Sequence, residues 1–123
     1  MLNRRQRFGK AGESVAARYL RKHGYRILEQ NYRTRMGEID IVARDGDTIV
    51  FVEVKARKNS RFGSPKWAVT SRKQKTISMV ALQYLKATDQ SQCRARFDVV
   101  AIRSESGSPE IELIKNAFEL AYT

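Results

Sequence analysis

The fold of this chain is decided by residues 37–55, which read GEIDIVARDGDTIVFVEVK. Apolar residues alternate with other types on both sides of Asp45-Gly46, a dipeptide that is typical of tight hairpin turns. We therefore predict two antiparallel strands, at residues 38–44 and 48–56. Both are apolar on two faces except at one end, and this pattern indicates a sheet that is covered on both sides.

Three charged residues interrupt the apolar pattern, namely Asp40, Glu53 and Lys55. The length of the turn decides whether they meet, because side chains alternate between the two faces of a strand. A two-residue loop sets Asp40 diagonal to Glu53, and a four-residue loop sets it directly opposite Glu53. Both loops place the three charges on one face, whereas a three-residue loop separates them. The same alternation places Ile39 and Ile41 together on the other face.

Residues 10–23 are predicted to form a helix, because Ala16, Ala17 and Leu20 recur at helical spacing. Glu13 precedes them by three, four and seven residues and therefore shares their apolar face. A carboxylate on the core side of a helix is costly unless it is paired or binds a metal. The alternative is that Glu13 is a first-turn residue, favoured there by the helix dipole.

The rest of the chain is predicted to complete a mixed sheet. A second helix, capped by Thr70 or Ser71, can return the chain to a parallel neighbouring strand. The order αβββαββ therefore predicts an α/β fold, a mixed sheet of four to five strands flanked by helices, in a single domain over residues 1–123. Residues 1–9 are expected to form a flexible basic arm. The remaining predicted elements are a strand at 25–33, a helix at 71–87, and strands at 97–102 and 111–114.

The charge balance favours a polyanionic partner. The chain carries 24 Lys and Arg against 13 Asp and Glu, a formal net charge of +11, and the excess lies in residues 1–88. Such an excess in a small domain is typical of nucleic-acid binding, although a solvated basic surface is the simpler alternative. Cys93 is the only cysteine, so an internal disulfide is excluded and a reducing, cytoplasmic setting is expected. The sequence has no long apolar run, and we expect no membrane span.

The charged end of the hairpin can support phosphodiester chemistry. Asp40 and Glu53 supply the hard oxygen ligands that Mg²⁺ or Mn²⁺ prefers, and the carbonyl of Val54 is a further candidate ligand. Lys55 lies two residues after Glu53, so its ammonium can hold an attacking water or neutralise charge in the transition state. Glu13 can complete the metal shell or orient a water. A Glu-x-Lys pair by itself is also common as an ordinary ion pair.

These motifs resemble the YraN family of predicted endonucleases in the PD-(D/E)xK nuclease superfamily, a family that is itself similar to archaeal-type Holliday-junction resolvases. The resemblance implies a restriction-endonuclease-like core, in which Asp40 and Glu53 bind metal, Lys55 is catalytic and Glu13 is an accessory acid. A homodimer would be in keeping with the resolvases. The likeness rests on Gly12-Glu13, residues 37–42, residues 52–57, Phe62-Gly63-Ser64-Pro65, and Ala68-Val69-Thr70 with Lys73.

Basic residues near the acidic end of the hairpin are candidates for gripping phosphates on either side of a scissile bond. Phe62 or Trp67 can stack on an unpaired base, although large aromatic residues near a helix start are more often part of a core. The candidate phosphate-binding residues are Arg35, Arg57, Lys58, Arg61 and Lys73.

The sequence thus favours a metal-dependent endonuclease that hydrolyses phosphodiester bonds in DNA, with branched or damaged DNA as a candidate substrate in repair or recombination. The first alternative is a non-catalytic nucleic-acid-binding module on a nuclease-like fold. The second is an interaction subunit whose basic face binds an acidic protein. The intact set of Asp40, Glu53 and Lys55 favours the enzyme, because a binding module gains nothing from carboxylates where phosphates dock.

Overall fold

The computed structural model describes residues 4–57, 69–103 and 108–120. Its elements follow the predicted order αβββαββ. They are α1 (Arg4–Lys22), β1 (Arg26–Thr34), β2 (Gly37–Asp45), β3 (Thr48–Arg57), α2 (Ser71–Ala87), β4 (Arg94–Arg103) and β5 (Glu110–Phe118).

The five strands form one mixed sheet in the spatial order β1-β2-β3-β4-β5. The pair β3–β4 is parallel and the other three pairs are antiparallel, so α2 is the crossover that a parallel pair requires. Leu20 of α1 lies in one buried cluster with Val50 and Val52, and Val80 of α2 lies in another with Phe51 and Ile49. Each helix therefore covers one face of the sheet, here called the α1 face and the α2 face. The predicted mixed α/β fold is confirmed.

The first helix is longer than the sequence pattern predicted. It begins at Arg4, so most of the expected flexible arm at residues 1–9 continues the helix. Arg and Gln are good helix formers and this segment has no proline, which is why the helix can extend beyond the apolar residues that signal it. The helix ends at Lys22, and Gly24 in the following turn has a φ of 88°, which suits glycine, while the N–H of Tyr25 donates to the carbonyl of Leu20 at 2.9 Å. None of the helices in the described ranges has the length and apolar character that a membrane crossing requires.

The hairpin adopts the register that brings the two acids together. Asp45 pairs with Thr48 around a two-residue loop, in which Gly46 has a φ of 62°. The last pair of the ladder is Ile41 with Val52, and one further step of the same register sets Asp40 opposite Glu53. We predicted that this register needs a four-residue loop. The loop is shorter because β2 and β3 stay paired for one residue more, as far as Asp45 with Thr48.

The alternation of β2 side chains between the two faces of the sheet is interrupted near Asp40. Ile41 packs on the α1 face, but Ile39 packs on the α2 face with Val42, so the prediction that Ile39 and Ile41 share a face is wrong. Opposite Asp40 stands Asn31 of β1, whose φ of 56° is left-handed and breaks the regular alternation. Asp40 therefore lies where a side chain can be approached from both faces.

A buried polar network ties α1 to the far end of the sheet. Asp98 has no exposed surface and accepts hydrogen bonds from the Tyr25 hydroxyl at 3.0 Å and from Arg96 Nε at 3.0 Å. The same carboxylate accepts the backbone N–H of Asn116 at 2.9 Å, and Arg96 also donates to Asp45 at 2.7 Å. Tyr25 follows the turn after α1 and its N–H is bonded to Leu20, so this network anchors the C-terminal end of α1, the helix that carries Glu13.

Candidate metal-binding site

Asp40 is held by the backbone of the neighbouring strand. The β2–β3 ladder stops at the pair of Ile41 with Val52, so the next N–H groups of β3 need other acceptors. Asp40 Oδ2 accepts the N–H of Val54 at 2.8 Å and replaces the missing ladder bond. The structure thus brings Val54 to Asp40 through its N–H, while the role of its carbonyl as a metal ligand stays a prediction.

Glu53 is a buried carboxylate with an unsatisfied oxygen. Its side chain is 6% exposed, and Oε1 lies 3.7 Å from Lys73 Nζ and 4.0 Å from Lys55 Nζ. Among the described residues, Oε2 has no hydrogen-bond partner. Burial, followed by the charge of Asp40, raises the pKa of Glu53 to about 8, although Lys73 and Lys55 lower it. The carboxyls of Glu53 and Asp40 lie close together. They can form a hydrogen bond with each other only when one of them is protonated.

The predicted residue Glu13 reaches Asp40 from the α1 side, together with a carboxylate that the sequence reasoning did not select. One oxygen each of Glu13, Glu38 and Asp40 lie within 4.8 Å of one another, which is close enough to hold one metal ion. Glu38 Oε2 also accepts Arg33 Nε at 3.1 Å. The signal for Glu38 was its place two residues before Asp40 in the same strand.

Asn31 completes this group of polar side chains. Gln30 pairs with Ile41 and Tyr32 with Ile39, so Asn31 stands opposite Asp40. With its NH₂ turned inward, the Asn31 amide donates to Glu38 Oε1 at 2.8 Å and to both Glu13 oxygens at 3.2 Å. This orientation is assigned from the hydrogen-bond partners.

The residues predicted to contact nucleic acid differ in where the structure places them. Arg35 is exposed in the β1–β2 turn, where it can meet a ligand. Lys73 lies in the first turn of α2, whose N-cap is Thr70, and contacts the Glu53 carboxylate instead of standing alone on the surface. The backbone of Arg57 ends β3. The candidates that fall outside the described residues are Lys58, Arg61, Phe62 and Trp67.

The donor set fits a hard divalent cation. Four carboxylates lie together here, counting that of Asp40 itself. Mg²⁺ and Mn²⁺ prefer such oxygen ligands together with water. The buried, unsatisfied Glu53 Oε2 is the kind of atom that a cation would satisfy. The chain has one histidine and one cysteine, which does not favour a zinc site.

Fold and site together define a mixed α/β protein with a carboxylate cluster, suited to a divalent cation, where two central strands separate. The sequence profile described as "Uncharacterised protein family UPF0102" matches residues 12–102, and the chain belongs to this family, which is the YraN-type group. The matched range contains Glu13, Glu38, Asp40, Glu53 and Lys55.

Similar proteins carry the same family name. The chain is 59% identical over 116 residues to a UPF0102 protein of Syntrophus aciditrophicus, covering 94% of this chain and 91% of the relative. It is 52% identical over 119 residues to one of Desulfosudis oleivorans, covering 97% and 95%. A solved structure of Pyrococcus furiosus SfsA in complex with Ca²⁺ aligns with a TM-score of 0.39 and 14% identity, over 87% of this chain and 62% of SfsA. Likeness at that level establishes neither a shared fold nor a shared activity.

Proposed function

We propose that this protein is a metal-dependent endonuclease that hydrolyses phosphodiester bonds in DNA. The observation that carries the proposal is the position of Asp40, whose carboxylate is fixed by Val54 and approached by Glu53 on one side and by Glu13 on the other. Mutual repulsion and burial both raise the free energy of clustered carboxylates, and a bound cation would offset that cost.

Asp40 and Glu53 would hold Mg²⁺ or Mn²⁺, with the Val54 carbonyl and Glu13 as further ligands. Such an ion, when bound, polarises a phosphoryl oxygen and lowers the pKa of a bound water. The protein fixes the direction of the Asp40 carboxylate through a backbone hydrogen bond, so the ligand geometry exists before the substrate arrives. Glu53 is itself buried, so its carboxyl lies out of bulk water.

Lys55 is the group that would act on the reacting phosphate. Its side chain is 26% exposed, while its Nζ is 4.0 Å from Glu53. An ammonium in this position can stabilise the negative charge that develops on phosphate oxygens and can hold the attacking water. Its partial exposure leaves it accessible to a substrate that lies across the end of the hairpin.

The basic residues around the site would bind the DNA backbone. Lys73 at the start of α2 adds its charge to the positive end of the helix, a favourable place for a phosphate. Contacts of this type do not depend on base sequence and weaken with salt. The residues proposed for this task are Arg35, Arg57, Lys58, Arg61 and Lys73. We place the activity in the cytoplasm, where Cys93 would stay reduced.

The test is cleavage of branched, nicked and single-stranded DNA with Mg²⁺ or Mn²⁺. We expect product from the wild type and none from Asp40→Asn or Lys55→Ala, because the first loses a ligand and the second loses the ammonium. Glu110→Gln is the matched control, since Glu110 forms an exposed ion pair with Arg103 at 3.1 Å, remote in register from Asp40. Equal cleavage by all four proteins would point to a contaminating nuclease and refute the proposal.

A non-catalytic nucleic-acid-binding module remains the second candidate. It is favoured by the contacts of Glu53 with Lys73 and Lys55, which already neutralise part of the acidic charge without a metal. In that case Asp40→Asn and Glu53→Gln would bind DNA more tightly than the wild type, and no protein in the series would cleave it.

A further inference from the structure

The turn between β1 and β2 presents an exposed apolar side chain beside the candidate site. Among the described residues, the large hydrophobic side chains that are exposed are Met36 at 44% and Leu82 at 38%. Leu82 lies in the second half of α2. Met36 lies with Arg35 in the two-residue loop that follows Thr34, here called the β1–β2 tip. Single exposed apolar residues are ordinary on protein surfaces, so the surroundings of Met36 decide whether it has a task.

The β1–β2 tip is held in place by its own strands and by α2. The N–H of Met36 donates to Thr34 Oγ1 at 3.0 Å, and Thr34 pairs with Gly37 across the loop. A side chain at Gly37 would overlap the methyl group of Thr76 in α2, so the absence of one lets the turn pack closely on the helix. An apolar side chain on a backbone that is already ordered loses less conformational entropy on binding than one on a mobile loop.

The β1–β2 tip and the candidate metal site lie at the same end of the sheet. Gly37 begins β2 three residues before Asp40. Because a strand rises about 3.3 Å per residue, Met36 stands at most about 13 Å from Asp40. Neighbouring bases along one DNA strand are about 3.4 Å apart, so a phosphate at Asp40 would have Met36 about three to four bases away.

Positive charge extends from the β1–β2 tip to the site. Arg35 is exposed beside Met36. On α2, Lys73 lies about one helical turn before Thr76, the residue that faces the tip, and Lys73 Nζ is 3.7 Å from Glu53 Oε1. Lys73 therefore lies between the tip and the site. An apolar side chain among cations fits a polyanion with aromatic bases better than it fits an apolar protein surface.

The chemistry of methionine suits contact with bases that can be separated. Its side chain is unbranched and polarisable, and its sulfur makes favourable contacts with aromatic rings. Proteins that kink DNA insert apolar side chains of this kind between neighbouring bases, and this insertion costs stacking energy. The cost is lowest where pairing or stacking is already impaired, as at a mismatch, a nick or a branch.

We propose that Met36 inserts between the bases of DNA that lies across the candidate site. The β1–β2 tip thereby selects DNA whose stacking is interrupted about three to four bases from the scissile phosphate. Arg35 and Lys73 hold the phosphates near the inserted side chain. The substrate class is nicked, mismatched or branched DNA rather than continuous duplex. The inference rests on the proposed function only for the place of the scissile phosphate, since the preference for interrupted stacking is measured without cleavage.

The test is binding of the full chain to two duplexes, one fully paired and one with two mismatched pairs, in a chelating buffer at low salt so that neither is cut. The fluorescence of 2-aminopurine at the mismatch reports unstacking. We expect the wild type to bind the mismatched duplex at least about fivefold more tightly and to raise this fluorescence. Met36→Gln, which is similar in length but polar, should bind both duplexes alike. Met36→Leu should keep most of the preference.

Leu82→Gln is the matched control. Leu82 is exposed to a similar degree, at 38%, but lies nine residues after Lys73 in α2, which is about 14 Å along the helix axis. This variant should keep the wild-type preference, and circular dichroism checks that each variant is folded. A preference that Met36→Gln retains, or that Leu82→Gln also loses, would overturn the inference.

The outcomes distinguish this inference from the proposed function. A preference for the mismatched duplex that depends on Met36, without cleavage in Mn²⁺, would support the inserted side chain and count against the endonuclease. Cleavage in Mn²⁺ that Asp40→Asn abolishes, together with equal binding of both duplexes by the wild type, would overturn the inference and leave the endonuclease intact. Absence of binding to either duplex by the wild type would overturn both.

Discussion

Replacing Glu53 with Gln should stabilise the metal-free protein at neutral pH. The substitution keeps the shape of the side chain and removes an ionisable group that must take up a proton to be buried beside Asp40. Burial and the charge of Asp40 raise the pKa of Glu53 from 4.5 to about 8 in the folded protein. In the unfolded chain the group ionises at its ordinary value, so between these two pH values the folded state binds more protons than the unfolded state.

Stability must therefore fall as the pH rises through this window. The contribution of Glu53 is fully present below pH 4.5 and is lost on the way to about pH 8. From pH 4.5 to pH 7 the change covers about 2.5 pH units at about 1.4 kcal/mol each, on the order of 3 kcal/mol. This is a large share of the roughly 5–15 kcal/mol that stabilises a typical domain.

The measurement is urea unfolding of wild type and Glu53→Gln in a chelating buffer at several pH values between about 4.5 and 8. The variant should match the wild type at the acidic end and become progressively more stable relative to it toward neutral pH. The exposed Glu110→Gln control should differ from the wild type by at most about 1 kcal/mol at any pH. A difference for Glu53→Gln that is constant with pH, or that favours the wild type at pH 7, would refute the reasoning.

Three further predictions concern the site and its support. Mn²⁺ should raise the melting temperature more at pH 8 than at pH 6, because Glu53 must lose its proton to bind a cation, and Asp40→Asn should remove most of the rise in thermal-shift assays. Lys55→Ala should bind Mn²⁺ as the wild type does but cleave no DNA, and loss of Mn²⁺ binding would contradict a purely catalytic lysine. Asp98→Asn should cost about 3 kcal/mol in urea unfolding, because it leaves the Arg96 guanidinium without its buried partner; a loss below about 1 kcal/mol would show that the network is dispensable.

Much of the fold follows from local patterns in the sequence. The alternation of apolar residues predicted β2 and β3. An even number of residues in the turn was enough to show that Asp40 and Glu53 could meet. The register needed more than the turn signal at Asp45-Gly46, because the additional Asp45–Thr48 pair moves the loop by one residue and only the folded sheet decides whether it forms.

The incomplete part of the site prediction has one physical cause. The prediction assumed that side chains alternate regularly between the two faces of β2. This alternation is interrupted near Asp40, where Asn31 has a left-handed φ and the β2–β3 ladder ends. Glu38 thereby lies with Glu13 and Asp40, while Glu53 lies on the α2 face beside Lys73. A single sequence contains no local signal for such an interruption except an asparagine at a place where a strand would favour a β-branched or aromatic residue.

The hydrogen bond between Val54 and Asp40 makes one backbone amide a built-in reporter of the site. The amide proton of Val54 points at the carboxylate that would bind the cation, so its nuclear magnetic resonance shift and its exchange with solvent should respond to every ion that Asp40 receives. The same bond explains why asparagine is the suitable replacement for Asp40. Its carbonyl oxygen can still accept the Val54 proton, whereas alanine would leave that N–H without a partner and confuse loss of chemistry with loss of structure.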